Sequence, residues 1–228
     1  MKARLTLWRD IAPQTRHFEF RSEEWEAAFV PGQFLSLTTE IAGEPITRAY
    51  SMASPPGGHT FALCANLVSD GRFSPWLFSL KEGDEIDFKG PYGAFILRRP
   101  VSDSIFVATG TGIAPFRSMI HSKLREHPEA QFTLIFGVRH EHGLLYHDEW
   151  LSFASELPNF VYRPTLTRPP DEWQGRTGRV QQHIFEFLGD RRDVDVYICG
   201  LREMVDDVRA KLKESGLDRK RIIYEKYD

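Results

Sequence analysis

Cysteine is nearly absent. Cys64 and Cys199 are the only two in 228 residues, and they lie far apart. That excludes a disulfide framework and an iron–sulfur cluster held by four thiolates. No apolar run approaches the ~18 residues of a spanning helix, and Met1-Lys2-Ala3-Arg4 lacks the apolar core of a secretion signal. A cytoplasmic setting is the expectation. An excess of one charge is missing too: 29 basic against 32 acidic residues leave −3. That balance gives no reason to expect a nucleic acid or a membrane surface as partner. Of eight histidines, only His140 and His142 come near a ligand spacing, in a polar loop, so no metal is expected. There is no internal repeat, no low-complexity segment and no linker; Arg168-Pro169-Pro170 is a stiff loop within a domain.

What is present centres on Ser104 to Phe116. The apolar run Ile105-Phe106-Val107-Ala108 breaks at Thr109-Gly110-Thr111-Gly112, and a helical pattern opens near Ile113. Pro115 fits only the first turn of that helix, where an amide hydrogen has no helical partner. Strand, glycine turn and helix are the pattern of a parallel sheet that holds a phosphate. The stretch has neither Gly-x-Gly-x-x-Gly spacing nor the lysine of a P-loop. An ordinary strand-to-helix turn therefore stands beside the phosphate reading.

Up to about Arg99 the pattern is short and alternating. Arg4–Trp8, His17–Phe20 and Phe34–Leu37 step with period two, as half-buried strands do. Pro31-Gly32 and Gly57-Gly58 punctuate them, and Phe61–Ala65 and Glu85–Phe88 add strands. A helix is expected over Phe73–Leu80. About six antiparallel strands with one short helix predict a closed or nearly closed Greek-key β-barrel. Arg48-Ala49-Tyr50-Ser51 offers a forked donor, a flat ring and a hydroxyl. In Gly71-Arg72-Phe73-Ser74, Ser74 is placed either to cap the helix or to meet a phosphate.

From Ser102 strands and helices alternate. Strands are expected at Phe132–Gly137, Phe160–Leu166, Asp195–Gly200 and Arg221–Glu225, with helices at Leu145–Leu157, Gly178–Leu188 and Met204–Leu212. That rhythm predicts an α/β domain with a parallel sheet and a ligand at the strand carboxyl ends, where Gly110, Gly137 and Gly200 fall. The expected division is residues 1–99 and 100–228.

Together these residues resemble the ferredoxin–NADP reductase family of flavoenzymes. The likeness runs in order through Pro31-Gly32-Gln33-Phe34, Arg48–Ser51, Gly71–Ser74, Gly90-Pro91-Tyr92-Gly93, Thr109–Phe116, Cys199-Gly200 and Glu225-Lys226-Tyr227. It implies a barrel for FAD followed by a parallel sheet for NADP, NAD being the alternative. Arg48 and Ser74 would hold the FAD pyrophosphate, and Ala49, Gly71 and Phe73 would be further cofactor-binding residues. Tyr50 would pack on the flavin ring with Ser51 toward its reactive edge, and Cys64, Ala65 and Leu67 would line the adenosine side. Gly110, Thr111 and Gly112 would receive the nicotinamide nucleotide's pyrophosphate. Cys199, Gly200 and Glu225 would lie beside the nicotinamide, and Tyr227 would cover the flavin; a small buried Cys199 and a frayed Tyr227 are the plain alternatives. Two residues depart from the family pattern: Asp228 follows Tyr227, and Asn66 replaces a basic residue.

Arg139, Arg168, Arg179 and Arg202 stand where arginines of similar enzymes serve the 2′-phosphate of NADP, against Glu141, which would repel it. Solvated surface arginines are the alternative. With no iron–sulfur module fused, a separate ferredoxin or flavodoxin is the implied electron partner, and a monomer or weak dimer the implied state. An NAD(P)H:flavin reductase, an NADH-dependent reductase component of an oxygenase, and an electron-transfer subunit of a larger complex remain as alternative readings.

Overall fold

The computed structural model describes residues 1–227; Asp228, and the expectation attached to it, lies outside them. By contacts the chain divides into two units, Met1–Ile96 with Ala114–Ser122, and Leu97–Ile113 with Lys123–Asp228.

The first unit contains β1 (Lys2–Ala12), β2 (Thr15–Arg21), β3 (Phe34–Ile41), β4 (Glu44–Ser51), β5 (Thr60–Asn66), helix α1 (Phe73–Ser79) and β6 (Glu85–Tyr92). Strand order is β4-β3-β6-β1-β2-β5, antiparallel throughout. Insertion of β6 between β1 and β3 makes the path a Greek key rather than a meander. A bridge between Met52 and Leu63, with the Ala53 amide donating to the Ala62 carbonyl at 2.7 Å, ties the end of β4 to β5 and closes the ring. Alternation decides the faces: Leu5, Phe18, Phe20, Leu35, Leu37, Phe61, Leu63 and Phe88 fill the interior. The two residues between β3 and β4, Ala42 (φ 53°) and Gly43 (φ 78°), both take the left-handed conformation that matches hairpin twist.

The second unit contains β7 (Ser104–Thr109), the start of helix α2 (Ile113–Lys123), β8 (Phe132–Val138), α3 (His147–Glu156), β9 (Phe160–Leu166), β10 (Arg176–Thr177), α4 (Ile184–Leu188), β11 (Asp195–Leu201), α5 (Arg202–Glu214) and β12 (Ile222–Tyr227). The sheet is wholly parallel, ordered β10-β9-β8-β7-β11-β12. From β7 the chain first steps one way to β8, β9 and β10, then returns to lay β11 and β12 on the other side. The reversal puts a topological switch point between β7 and β11, where such sheets bind ligands. Helix α5 buries Met204, Val205, Val208 and Leu212, the one-sided spacing of an amphipathic helix, against Val196, Ile198 and Ile222.

Three local expectations are corrected. The helix expected over 178–188 is a 3-10 turn at Val180–Gln182 followed by the short α4. Gln182 Oε1 accepts from the Arg179 amide at 3.0 Å, a capping contact that opens the 3-10 turn, and His183 Nε2 lies 2.9 Å from the Thr177 carbonyl. The two-residue β10 beside β9 went unseen for want of length. Ser74 is not the cap of α1: Arg72 holds the N-cap position, and the Ser74 hydroxyl is the second residue inside, where it accepts from the Val68 amide at 2.9 Å.

Candidate functional site

In the first unit, Arg48, Ala49, Tyr50 and Ser51 occupy the last half of β4. Arg48 and Ala49 are exposed, whereas Tyr50 is half-buried and Ser51 buried. Arg48 donates from one guanidinium nitrogen to the Thr47 carbonyl at 2.8 Å. The Tyr50 and Phe73 rings lie 5.9 Å apart, so the β4 motif and the motif that opens α1 meet in one place. Burial pushes the Tyr50 hydroxyl up to about 12, against a smaller opposing pull from Arg48, which keeps the phenol neutral.

Gly71, Phe73 and Ser74 shape the turn into α1. Arg72 is committed elsewhere, to Glu44 at 2.6 Å and to the Ile41 carbonyl at 2.9 Å. Ser74 lies 3.3 Å from the Val68 carbonyl as well as accepting from its amide, so its hydroxyl holds the preceding loop. Cys64 and Ala65 are buried in β5 opposite His17 and Arg16. The Leu67 amide is spent on the Gln14 carbonyl at 2.7 Å. Asn66, in place of a basic residue, accepts from the Thr15 hydroxyl at 2.6 Å.

One residue of this unit was not foreseen. Arg117 of α2 donates to the Ala53 carbonyl at 2.7 Å and fixes the chain just past Ser51. The same guanidinium helps hold the buried His17 neutral; burial lowers its pKa most, and Arg117 adds to that. An arginine directly after the apolar first turn Ile113–Phe116 was the available signal.

In the second unit the switch point is built from backbone. Gly110, Thr111 and Gly112 form a 3-10 turn at the end of β7 and lead into α2. A Cβ on Gly112 would sit 2.4 Å from the Cys199 carbonyl oxygen and 2.7 Å from the Gly200 nitrogen, so the two strand ends touch only because no side chain intervenes. Gly200, at φ +145°, is equally constrained, since its Cβ would lie 2.3 Å from Thr109 Oγ1. That Thr109 hydroxyl is buried with no hydrogen-bond partner among the described residues. A buried hydroxyl left unsatisfied costs on the order of 1–3 kcal/mol, and a polar ligand in the crevice between β7 and β11 would relieve it. The residues present therefore fit a bound nucleotide.

Cys199, Glu225 and Tyr227 come together across β11 and β12. Cys199 is in register with Glu225, and Tyr227, two residues on, shares Glu225's face. Tyr227 is paired in the strand opposite Leu201 rather than frayed. Cys199 is fully buried, and its thiol is pushed well up, by burial first and the Glu225 carboxylate second, against a hydrogen bond with Tyr227. The surroundings thus favour the neutral thiol over the thiolate, which is the nucleophilic form.

The arginines lie along the same carboxyl edge of the sheet. Arg139 follows β8 and Arg168 follows β9, and the Arg168 amide donates to the Arg139 carbonyl at 2.8 Å. Arg179 follows β10, and Arg202 opens α5 straight after β11. All four are exposed. Beside Arg168 a cleft of about 630 Å³ is walled by His140, Glu141, His142, Arg168, Pro169 and Pro170. No group of three or more metal-ligating side chains occurs among the described residues, nor a helix long and apolar enough to cross a membrane.

A closed antiparallel barrel followed by a parallel sheet with a switch-point crevice is the architecture of two-domain flavin and nicotinamide-nucleotide reductases. The sequence matches the oxidoreductase FAD-binding domain over residues 2–96 and the oxidoreductase NAD-binding domain over residues 106–210. It is 37% identical over 238 residues to ferredoxin–NADP reductase B of Sorangium cellulosum, covering 100% of this chain and 97% of that protein. It is 34% identical over 203 residues to the toluate 1,2-dioxygenase electron transfer component of Pseudomonas putida, covering 89% of this chain but only 60% of that longer protein. A crystal structure of an Amycolatopsis cytochrome P450 reductase superposes with TM-score 0.91 at 28% identity, over 99% of this chain and 69% of that one. The chain belongs to the ferredoxin–NADP reductase family of flavoprotein oxidoreductases. It is an oxidoreductase with one domain for FAD and one for a nicotinamide nucleotide.

Proposed function

We propose that the chain moves reducing equivalents from NADPH, through FAD, to a one-electron carrier of the ferredoxin or flavodoxin type. The observation that carries this is the second unit's glycine crevice with its unsatisfied Thr109 hydroxyl, flanked along one sheet edge by Arg139, Arg168, Arg179 and Arg202. FAD, when bound, supplies the chemistry that accepts a hydride and releases electrons singly. On the first unit Arg48 would meet its pyrophosphate, Tyr50 would lie flat against the flavin, and Ser51 would offer a hydroxyl to the ring edge. Ser74, with Gly71 and Phe73, would shape the loop at the phosphates, and Cys64, Ala65 and Leu67 would line the adenosine.

On the second unit Gly110, Thr111, Gly112 and Gly200 would admit the nucleotide's phosphates close to the backbone. Cys199, neutral and buried, would position Glu225 and Tyr227 beside the nicotinamide rather than react. The arginines would read the 2′-phosphate by charge-assisted hydrogen bonds. Likeness to a dioxygenase electron transfer component over 89% of the chain supports a second acceptor, an oxygenase or its own ferredoxin.

The test is an absorbance spectrum of the purified protein and its bleaching by NADPH and, separately, by NADH. A bound flavin bleached faster by NADPH, and reoxidised by added ferredoxin or flavodoxin, is the expected result. A colourless protein that reduces only free flavin would replace this reading with that of a flavin reductase.

A further inference from the structure

We propose that Arg117 is a positioning residue for the hydride step, tying the strand end that carries Ser51 to the helix that opens at the nucleotide turn; this rests on the reading of the chain as a nicotinamide-nucleotide reductase. Helix α2 starts at Ile113, directly after the Gly110-Thr111-Gly112 turn. Arg117 stands four residues further on, about 6 Å along a helix axis. Its guanidinium donates to the Ala53 carbonyl at 2.7 Å. Ala53 lies two residues past Ser51, the last residue of β4. The seat under α2 leaves no room for sliding. A Cβ on Gly32, at φ +101°, would sit 2.0 Å from the Phe95 carbonyl oxygen and 2.3 Å from Met119 Cε. Phe116 packs on Phe95 with ring centroids 5.7 Å apart, and Phe116 and Met119 are fully buried. Packing this close transmits a displacement instead of absorbing it.

The chain past Ser51 is held from both sides. The Met52 amide donates to the Gln33 carbonyl at 3.1 Å, and the Ala53 amide to the Ala62 carbonyl at 2.7 Å. The Ala53 carbonyl belongs to α2. Ala53 is wholly buried, so loss of the charged donor takes a partner from a buried acceptor. Gln33 ties in two turns as well: its Oε1 accepts from the Val30 amide at 2.9 Å, and its Nε2 donates to the Gly93 carbonyl at 3.3 Å. Pro31–Phe34 and Gly90–Gly93, to which no ligand contact is assigned, thus share one task, the seating of α2 beside this strand end. The hydride step breaks a C–H bond of the nicotinamide and forms an N–H bond on the flavin; the electron pair travels with the hydrogen, oxidising the first ring and reducing the second. Arg117 exchanges no proton or electron in it. It fixes a distance, and misplacement by about 1 Å costs up to about a hundredfold in rate. Arginine suits the task because its planar fork is rigid and its charge is never lost.

The experiment compares wild type, Arg117→Lys and Arg117→Met as FAD-loaded full chains. Flavin reduction by NADPH is followed by rapid-mixing absorbance, FAD and NADP⁺ dissociation constants by titration, and hydrogen exchange of the Met52 and Ala53 amides with and without NADP⁺. Arg117→Met should lower the limiting rate of flavin reduction about ten- to hundredfold. Its half-saturating NADPH concentration and both dissociation constants should stay within about twofold of wild type. Arg117→Lys, which keeps a charged donor, should recover most of the rate. In wild type NADP⁺ should slow exchange of the two amides about twofold or more, and in Arg117→Met that response should vanish. An unchanged limiting rate in Arg117→Met overturns the proposal, as does an amide response to NADP⁺ that survives the substitution. A parallel fall in FAD content, NADP⁺ affinity and rate overturns it too, because a packing staple alone gives that pattern. Should Arg117→Met fail to fold, Arg117→Gln, with a neutral donor, is read against the same criteria. Wild-type reduction with indifferent variants rejects Arg117 alone. A wild type that binds neither flavin nor NADP⁺ removes the reductase reading as well.

Discussion

The two units are built to hold their ligands by different means. On the barrel, the β4 candidates contribute side chains: Arg48 and Ala49 are exposed, Tyr50 is half-buried and Ser51 buried. On the parallel sheet, the switch point itself is shaped by backbone, through the absence of side chains at Gly112 and Gly200. A side-chain site loses affinity contact by contact. A backbone site has no slack, because any added atom separates two strands.

Gly112→Ala is the sharpest way to break that contrast. Its Cβ would meet the Cys199 carbonyl oxygen at 2.4 Å, and overpacking of this kind costs about 1–3 kcal/mol. Nucleotide affinity should fall by tenfold or more while FAD content holds; calorimetry and flavin absorbance check both. Arg48→Ala comes next: loss of a charge-assisted phosphate contact worth roughly 1.5–3 kcal/mol should weaken FAD about tenfold or more. Ser74→Ala should weaken FAD less, since Ser74 acts through the Val68 loop. Full FAD occupancy of Arg48→Ala after extended dialysis would remove Arg48 from the site.

Tyr227→Ser should have a smaller effect of opposite sign. Its side chain hydrogen-bonds Cys199 on the neighbouring strand, and an aromatic contact is worth roughly 0.5–1.5 kcal/mol. If the ring competes with the nicotinamide, its removal should tighten nucleotide binding about two- to tenfold and slow release. Unchanged dissociation constants would make Tyr227 only the end of a strand. The smallest effect concerns Tyr50. Its folded pKa is raised to about 12 from an ordinary value near ~10, so the unfolded chain gives up the proton first. The stabilisation is complete below about pH 10 and drains away as pH rises toward 12. Denaturant unfolding of Tyr50→Phe over that window should show a shallower decline than wild type.

Much of this contrast was legible because local pattern carries it. Period-two alternation around Phe18 and Phe20 set the barrel's inner face, and the glycine break after Ala108 marked the turn at the parallel sheet's edge. Hidden was whatever depends on pairing distant segments. Arg117 reaches Ala53 only once α2 is folded against the barrel, and Thr109 meets Gly200 only once β11 pairs beside β7. Ser74 suggested a cap, but its hydroxyl prefers the backbone six residues earlier, a choice set by the loop's path. The helix expected from Gly178 is instead a 3-10 turn over Val180–Gln182 followed by the short α4, a break that local periodicity does not mark.

Helix α2 begins at the glycine turn of one unit, yet its Ala114–Ser122 span is counted by contacts with the other. Phe116 lies against Phe95 at 5.7 Å, and Arg117 reaches the Ala53 carbonyl. The covalent order of the chain and the grouping of its contacts therefore disagree. A gene fragment stopped at Arg99 would encode every barrel strand and omit the helix segment that packs on it. Such a fragment should be aggregation-prone, and adding Ala114–Ser122 as a separate peptide should restore solubility. Swapping the barrel between relatives would likewise have to carry this helix across, as a discontinuous insert rather than a single splice.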